Sequence, residues 1–360
     1  MLHRNILVDP ASPAEKSLTM PIIGVAGHSG SGKTTLIERL VTELGRRGLR
    51  LGVVKHAHKG FSMDRPGKDT DRFFVAGADP VLVSGPSESA LRFRDPVALE
   101  DADPWLCRLF SPADLVLVEG FKGAPWPRIW VGPDAPPFEA LFQVAPGGRF
   151  QRDDVAAIAD ALVSHAEAWH TARPVVAGVL IGGGSRRMGQ PKHLLERGGR
   201  IWLEHILDAV RPLVSQSVLL GDGALPAGVS DLARLPDAPD AEGPMAGLLS
   251  MFRCFPRAAV LLVSCDAPDL GTTDLAPLVG QRRLGADAVA WQVGGRPQQL
   301  PVLVEPTAFS RVEGRGRAGG RTASLHGLLD DLRVIGLPWD PADLARLRGY
   351  NTPGEAGDSQ

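Results

Sequence analysis

Two stretches of the chain share one pattern: an apolar run, a glycine-rich turn, then apolar residues at helical spacing. Ile22-Ile23-Gly24-Val25-Ala26 predicts a buried strand, and Leu36, Ile37, Leu40, Val41 and Leu44 fall on one helix face. Residues 49–54, Val81-Leu82-Val83 and 115–118 are short apolar runs that predict strands covered on both faces of a parallel sheet. Residues 153–169 read as an alanine-rich helix, which Thr171-Ala172-Arg173-Pro174 breaks. The run 175–181 opens a second series, with strands predicted at 217–220, 259–264, 286–291 and 301–304. Helices are predicted there at 201–212, 245–254, 270–278 and 341–348. Both halves therefore read as α/β, as two doubly wound domains with mostly parallel sheets. The expected divisions are a flexible arm at 1–20, a first domain at 21–170 and a second at 175–355. The Arg- and Gly-rich stretch 311–321 reads as a mobile loop, and the tail after Pro353 as frayed.

At 360 residues the chain has room for two cores. With 39 basic and 41 acidic residues the net charge is -2, so no basic footprint marks a dedicated nucleic-acid binder. No apolar run approaches the length of a membrane helix, and no signal-peptide core follows the first residues. Cys107, Cys254 and Cys265 form no CxxC pair, which excludes a zinc ribbon and suits a reducing cytoplasm.

Gly27-His28-Ser29-Gly30-Ser31-Gly32-Lys33-Thr34 fits G-x-x-x-x-G-K-[ST] in full, between a predicted strand and a predicted helix. Glycines at these positions let backbone N–H groups turn inward on phosphate oxygens, and the helix start adds positive potential. Gly27, Gly30, Ser31, Gly32, Lys33, Thr34 and Thr35 are the expected nucleotide contacts. Lys33 reaches the terminal phosphates, and the Thr34 hydroxyl is positioned for Mg²⁺. Glu119 closes an apolar strand where a carboxylate meets the metal or its waters. Asp114 reads as a turn residue. His56 and His58 form an i,i+2 pair that suits the phosphate side or solvent better than a metal. The charged stretch 64–72 fits a solvated loop or a substrate loop.

The P-loop alone equally fits a small-molecule kinase. Taken with Lys55-His56-Ala57-His58, Asp64-Arg65-Pro66-Gly67-Lys68-Asp69-Thr70, Ala76-Gly77-Ala78 and Val118-Glu119-Gly120-Phe121-Lys122, it resembles the MobB family over roughly residues 20–165. Those are GTP-binding adaptor proteins of molybdopterin-guanine dinucleotide biosynthesis. The resemblance implies a P-loop NTPase fold, GTP as ligand, feeble hydrolysis and a homodimer formed through this domain.

The second glycine-rich turn runs Leu180-Ile181-Gly182-Gly183-Gly184-Ser185-Arg186-Arg187-Met188-Gly189-Gln190-Pro191-Lys192. It is neither a P-loop nor G-x-G-x-x-G. Its Arg186, Arg187 and Lys192 suit a triphosphate and a developing pyrophosphate charge. An apolar strand then delivers Ser264-Cys265-Asp266-Ala267-Pro268, with Asp266 placed to hold Mg²⁺. Cys265 reads as packing; Asp269 fits a helper to Asp266 at the metal, and better the N-cap of the following helix. Asp237 and the turn Gly243-Pro244-Met245-Ala246-Gly247 are expected beside a base or ribose.

These elements, with Leu194-Leu195 and Tyr350-Asn351-Thr352-Pro353, resemble MobA, the molybdenum cofactor guanylyltransferases, over about 175–355. The resemblance implies a Rossmann-like nucleotidyltransferase that joins GMP from Mg²⁺-bound GTP to molybdopterin. It places Leu180, Ile181, Gly182, Gly183 and Lys192 on the nucleotide and makes Asp266 the metal ligand, with Asn351 approaching the metal. Lys192, Arg187 and Asp266 are then the catalytic set. Molybdoenzymes, their chaperones and molybdenum-insertion proteins are the implied partners. The Met188-Gly189-Gln190-Pro191-Lys192 wording is as close to the cytidylyltransferase branch. Gly182-Gly183, where that branch tends to have Ala-Gly, and the adaptor-like first half favour guanine. A sugar-phosphate nucleotidyltransferase fused to a kinase is the remaining alternative.

Overall fold

The computed structural model describes residues 20–57, 60, 66–94, 109–120, 126–145, 150–182, 191–229, 231–318, 324–340, 343–347, 349 and 350. Strands β1 (Ile22–Gly27), β2 (Leu51–Lys55), β5 (Leu115–Glu119), β6 (Arg128–Val131) and β7 (Phe142–Val144) form one five-stranded sheet, with β3 (Val81–Ser84) and β4 (Ser89–Arg92) apart from it. The order is β2-β5-β1-β6-β7 and every pairing is parallel. Period-two alternation divides the strands: Leu115 and Leu117 enter one core, and Val116 and Val118 the other. Helix α1 (Lys33–Arg46) lays Leu36, Ile37, Leu40 and Leu44 on the first core, and α3 (Arg152–Thr171) adds Ile158 and Leu162. The opposite face has a small cover of Met20, Ala113 and Trp126.

Helix α2 (Asp69–Val75) and the β3–β4 ribbon correct two expectations. Val81-Leu82-Val83 does not enter the parallel sheet. It pairs antiparallel with β4, and Leu82 is 64% exposed. A three-residue apolar run does not record which neighbour covers it. The charged stretch is a helix from Asp69 onward, tied by Gly67 N–H and Arg92 to the Asp71 carboxylate.

After Thr171 the chain enters β8 (Val175–Leu180), with β9 (Glu196–Arg197) and β10 (Arg200–Ile201) as a separate ribbon. Strands β11 (Gln216–Leu220), β12 (Ala233–Leu235), β13 (Ala259–Ser264), β14 (Ala288–Val293), β15 (Arg296–Val304) and β16 (Val334–Pro338) complete a seven-stranded sheet. Its order is β12-β11-β8-β13-β15-β14-β16, and β15 is antiparallel to both neighbours. Helices α4 (Trp202–Val210) and α6 (Thr272–Gly280) cover one face; α5 (Pro244–Cys254), α7 (Phe309–Ala318) and α8 (Leu325–Asp331) cover the other. From β8 the chain runs out to β11 and β12, then returns to β13 on the other side. The crevice beyond the carboxyl ends of β8 and β13 is therefore the topological switch point. Of the stretch 311–321 expected as a mobile loop, residues 311–318 are helical as part of α7, because Phe309 and Val312 are buried against α5 and the sheet; 319–321 lie outside the described residues. Of the helix expected at 341–348, Leu344–Leu347 forms α9.

The two sheets meet through their amino-terminal edges. Asp114 precedes β5 and Asp287 precedes β14; both carboxylates are buried. Arg333 donates to Asp114 at 2.6 and 2.8 Å and to Asp287 at 3.2 Å. Arg50 reaches Asp287 at 2.6 Å and Asp114 at 3.4 Å, and the Thr307 hydroxyl donates to Asp287 at 2.9 Å. Asp114 does lie in a bend, but its carboxylate is part of the contact between the halves.

Candidate functional site

At the carboxyl end of β1 the turn closes as a phosphate cradle. A Cβ on Gly27 would lie 2.2 Å from the Val131 carbonyl oxygen, so only glycine fits there. Gly30 (φ 74°) and Gly32 (φ 97°) take the left-handed backbone that turns amides inward. The Ser31 hydroxyl is buried with no hydrogen-bond partner, a polar atom left for a ligand. Lys33 Nζ donates to the Gly27 carbonyl at 3.1 Å and also to that of His28. The Thr34 hydroxyl donates to Glu119 Oε2 at 2.9 Å, because β5 lies next to β1 with Val25 opposite Glu119. Two hard oxygen donors thus converge, which fits Mg²⁺ completed by phosphates and water. Lys55, at the carboxyl end of β2, lies 3.5 Å from Glu119 Oε2. Its position was legible in the sequence; the contact depends on β2 pairing with β5. Thr35 follows in the first turn of α1, His56 N–H donates to the Glu119 carbonyl at 2.9 Å, and His58 lies outside the described residues.

The second set gathers at the switch point. Ile181 and Gly182 leave β8 bonded to the Leu220 carbonyl at 3.0 and 3.3 Å. A Cβ on Gly247 would meet Leu180 Cδ2 at 3.0 Å, so its absence lets α5 approach β8. Gly221 (φ 95°) backs onto Gly182, and a Cβ there would lie 3.8 Å from an Asp237 carboxylate oxygen, which brings Asp237 beside the turn. Burial, reinforced by Asp222, raises the Asp237 pKa. Gly243 (φ 56°) precedes α5 at its amino end. Lys192 opens a short 3₁₀ turn and its Nζ lies 3.1 Å from Asp266 Oδ2, just past β13. Two residues 74 positions apart in the sequence are thus brought into contact. Gly183, Arg186, Arg187 and Asn351 lie outside the described residues.

Arg197 and Gly349 carry no site signal in the sequence, whereas Tyr350 belongs to the MobA-like wording and Asp269 to the acids beside Asp266. The Tyr350 N–H donates to the Asp266 carbonyl at 2.9 Å, and a Cβ on Gly349 would fall 2.5 Å from Asp266 Cγ. The Tyr350 hydroxyl donates to Asp269 and accepts from Arg197 at 3.0 Å; Arg197 pairs with Asp269 at 2.5 Å. Asp269 is therefore not the N-cap of α6. That helix starts at Thr272, where Asp274 accepts from the Gly271 N–H at 2.8 Å. Cys265 is buried and its thiol is pushed up to about 12 by burial and by Asp266, which makes it packing and not a nucleophile. Among the described residues no three His, Cys, Asp or Glu side chains gather as a metal cage. One carboxylate with a triphosphate is still a fitting Mg²⁺ environment.

Comparison with known proteins matches each half separately. Residues 22–143 match the model of molybdopterin guanine dinucleotide synthesis protein B, and residues 177–330 that of the MobA-like NTP transferase domain. An adapter protein of molybdopterin-guanine dinucleotide biosynthesis from Haemophilus influenzae is 41% identical over 31% of this chain and 62% of its own length. A probable adapter of the same description from Bacillus subtilis is 38% identical over 34% of this chain and 70% of its own length. The chain belongs to the MobB family. MobB-family sequence accounts for the P-loop and Glu119 but ends well before the second site. There, a probable molybdenum cofactor guanylyltransferase from Bacillus cereus is 31% identical over 34% of this chain and 64% of its own length. The chain spans about three fifths of the first curated MobB relatives. Among solved structures, Bacillus subtilis MobB is 27% identical with a TM-score of 0.32, covering 40% of this chain and 98% of that one. Protein A of the same biosynthesis from Archaeoglobus fulgidus is 22% identical with a TM-score of 0.43, covering 50% and 94%. The MobB-matched segment holds Thr34 and Glu119. The transferase-matched segment holds Gly182, Lys192, Asp237, Gly243 and Asp266, and stops short of Tyr350. Among the described residues no helix is long and apolar enough to cross a membrane.

Proposed function

We propose that the second half, residues 175–355, is a guanylyltransferase of the molybdenum cofactor, and that the first, residues 21–170, is its fused GTP-binding adapter. The observation that carries this reading is the 3.1 Å approach of Lys192 to Asp266 at the switch point. The terminal phosphate of molybdopterin attacks the α-phosphorus of GTP in line. A new phosphorus–oxygen bond forms, the α–β bridge breaks, and pyrophosphate leaves with its electron pair. Lys192, with Arg187, neutralises charge growing on the α-phosphate and the leaving group. Asp266 would hold Mg²⁺, with Asn351 as the second group the MobA resemblance implies there, and Leu180 to Gly183, Asp237 and Gly243 would frame the nucleotide. When bound, Mg²⁺ supplies Lewis-acid charge neutralisation across the triphosphate.

In the first half, Gly27 and Gly30 to Thr35 hold GTP, with Thr34 and Glu119 toward its Mg²⁺. The amino-terminal edges of both sheets face the junction, so the two nucleotide turns, at the carboxyl ends of β1 and β8, point away from it. Molybdoenzymes and molybdenum-insertion proteins are the partners the reading implies. Incubation of the full chain with molybdopterin, Mg²⁺ and each nucleoside triphosphate, followed by mass analysis, tests it. GTP should yield the guanine dinucleotide. A cytosine dinucleotide as main product would move the protein to the cytidylyl branch, and nucleotide–sugar products would discard the cofactor substrate.

A further inference from the structure

The connection between the halves carries a buried guanidinium. Arg173 is 8% exposed, and among the described residues none of its three side-chain nitrogens has a hydrogen-bond partner. Its Cζ stacks 4.0 Å from the centroid of the Trp169 ring. The acids nearby are committed elsewhere. Glu305 accepts from Arg282 at 2.7 and 3.1 Å and lies 3.3 Å from His170 Nε2. Asp114 is held by Arg50 and Arg333. Burial pulls the Arg173 pKa down to about 9, against the attraction of Glu305 and helped by Arg282 and Arg257.

Arg173 lines a cavity at the meeting of the two halves, with Asp114, Trp169, His170, Leu284 and Thr307. The space for the centre of a water-sized occupant is about 10 Å³, within a cleft of about 260 Å³ counting its open side. An unsatisfied buried cation is expensive, and a single acceptor of opposite charge removes the cost. The enclosed space fits one compact inorganic occupant. We propose that this cavity binds one small inorganic anion, of chloride size, on the guanidinium of Arg173. The site is remote from both nucleotide turns and independent of the transferase reading. An anion here ties the end of α3 and the linker to the amino-terminal edge of the second sheet.

Thermal unfolding of the full chain tests it, in sodium chloride against sodium gluconate at equal ionic strength. The expected result is a Tm higher by about 2 °C or more in 0.2 M chloride. Arg173→Met should unfold at the same temperature in both salts, and Arg173→Lys should keep part of the difference. Crystals of the unsubstituted chain soaked in bromide should show anomalous density within hydrogen-bond reach of the Arg173 nitrogens. That readout stands whatever the variants do to folding. No bromide at Arg173, equal Tm values for the unsubstituted chain, or a chloride effect that survives in Arg173→Met each overturns the proposal. A shift produced by millimolar phosphate and not by chloride overturns it as well.

Discussion

Asp266 and Cys265 are neighbours in sequence and opposites in chemistry. The strand ends so that the carboxylate reaches the crevice while the thiol stays inside, its pKa pushed up to about 12. The native chain should therefore resist thiol alkylation at Cys265 at pH 8. Mass mapping of the labelled chain, with and without denaturant, reads this directly, and rapid native labelling at that position would contradict the burial. Glu305 carries the clearest pH signature. Burial opposes its charge, yet hydrogen bonds from Arg282 and the His170 ring 3.3 Å away hold its pKa at about 2, below the usual 4.5. Because the folded value is depressed, its contribution is fully present above pH 4.5 and is lost as pH falls toward 2. Thermal stability should fall between pH 4.5 and 2, and Glu305→Gln should flatten that fall. An equally steep fall in the variant would place the acid sensitivity elsewhere.

Among the elements, the P-loop and the strand carrying Asp266 were legible because their motifs are local: glycines, a lysine and an apolar run within a dozen residues. The β3–β4 ribbon and α7 were not, because their character comes from what lies beside them. Val81 and Leu82 look apolar whether covered or bare, and the glycines of 311–318 signal a loop that Phe309 and Val312 override by packing. The segment Gly349-Tyr350 shows the same limit. Its wording belonged to a family resemblance, but only the fold lays it across Asp266. A methyl group on Gly349 has no room beside that carboxylate. Gly349→Ala should lower pyrophosphate release at least tenfold while shifting Tm little, since the segment crosses the site and not a core. Unchanged turnover would show that the segment gives way without moving Asp266.

Across the whole molecule, the junction of Asp114, Asp287, Arg50 and Arg333 joins the sheets at their amino ends. Asp287 is wholly buried, so removing its charge takes from Arg50 and Arg333 one of the two carboxylates they share and leaves the Thr307 hydroxyl without its acceptor. Asp287→Ala should cost about 3 kcal/mol in denaturant unfolding. It should also separate one transition into two as the halves lose their contact; a single unshifted transition would deny the junction that role. The two-part organisation itself was visible in the break at 171–174, whereas the back-to-back arrangement was not, since it depends on pairs more than 200 residues apart. Nucleotidyl transfer in the second half depends on the meeting of Lys192 and Asp266. Its most direct test is GTP- and molybdopterin-dependent pyrophosphate release by the full chain and by its Asp266→Ala variant. A loss of at least a hundredfold with the fold intact is the predicted result. Release by the variant at the parental rate would contradict it.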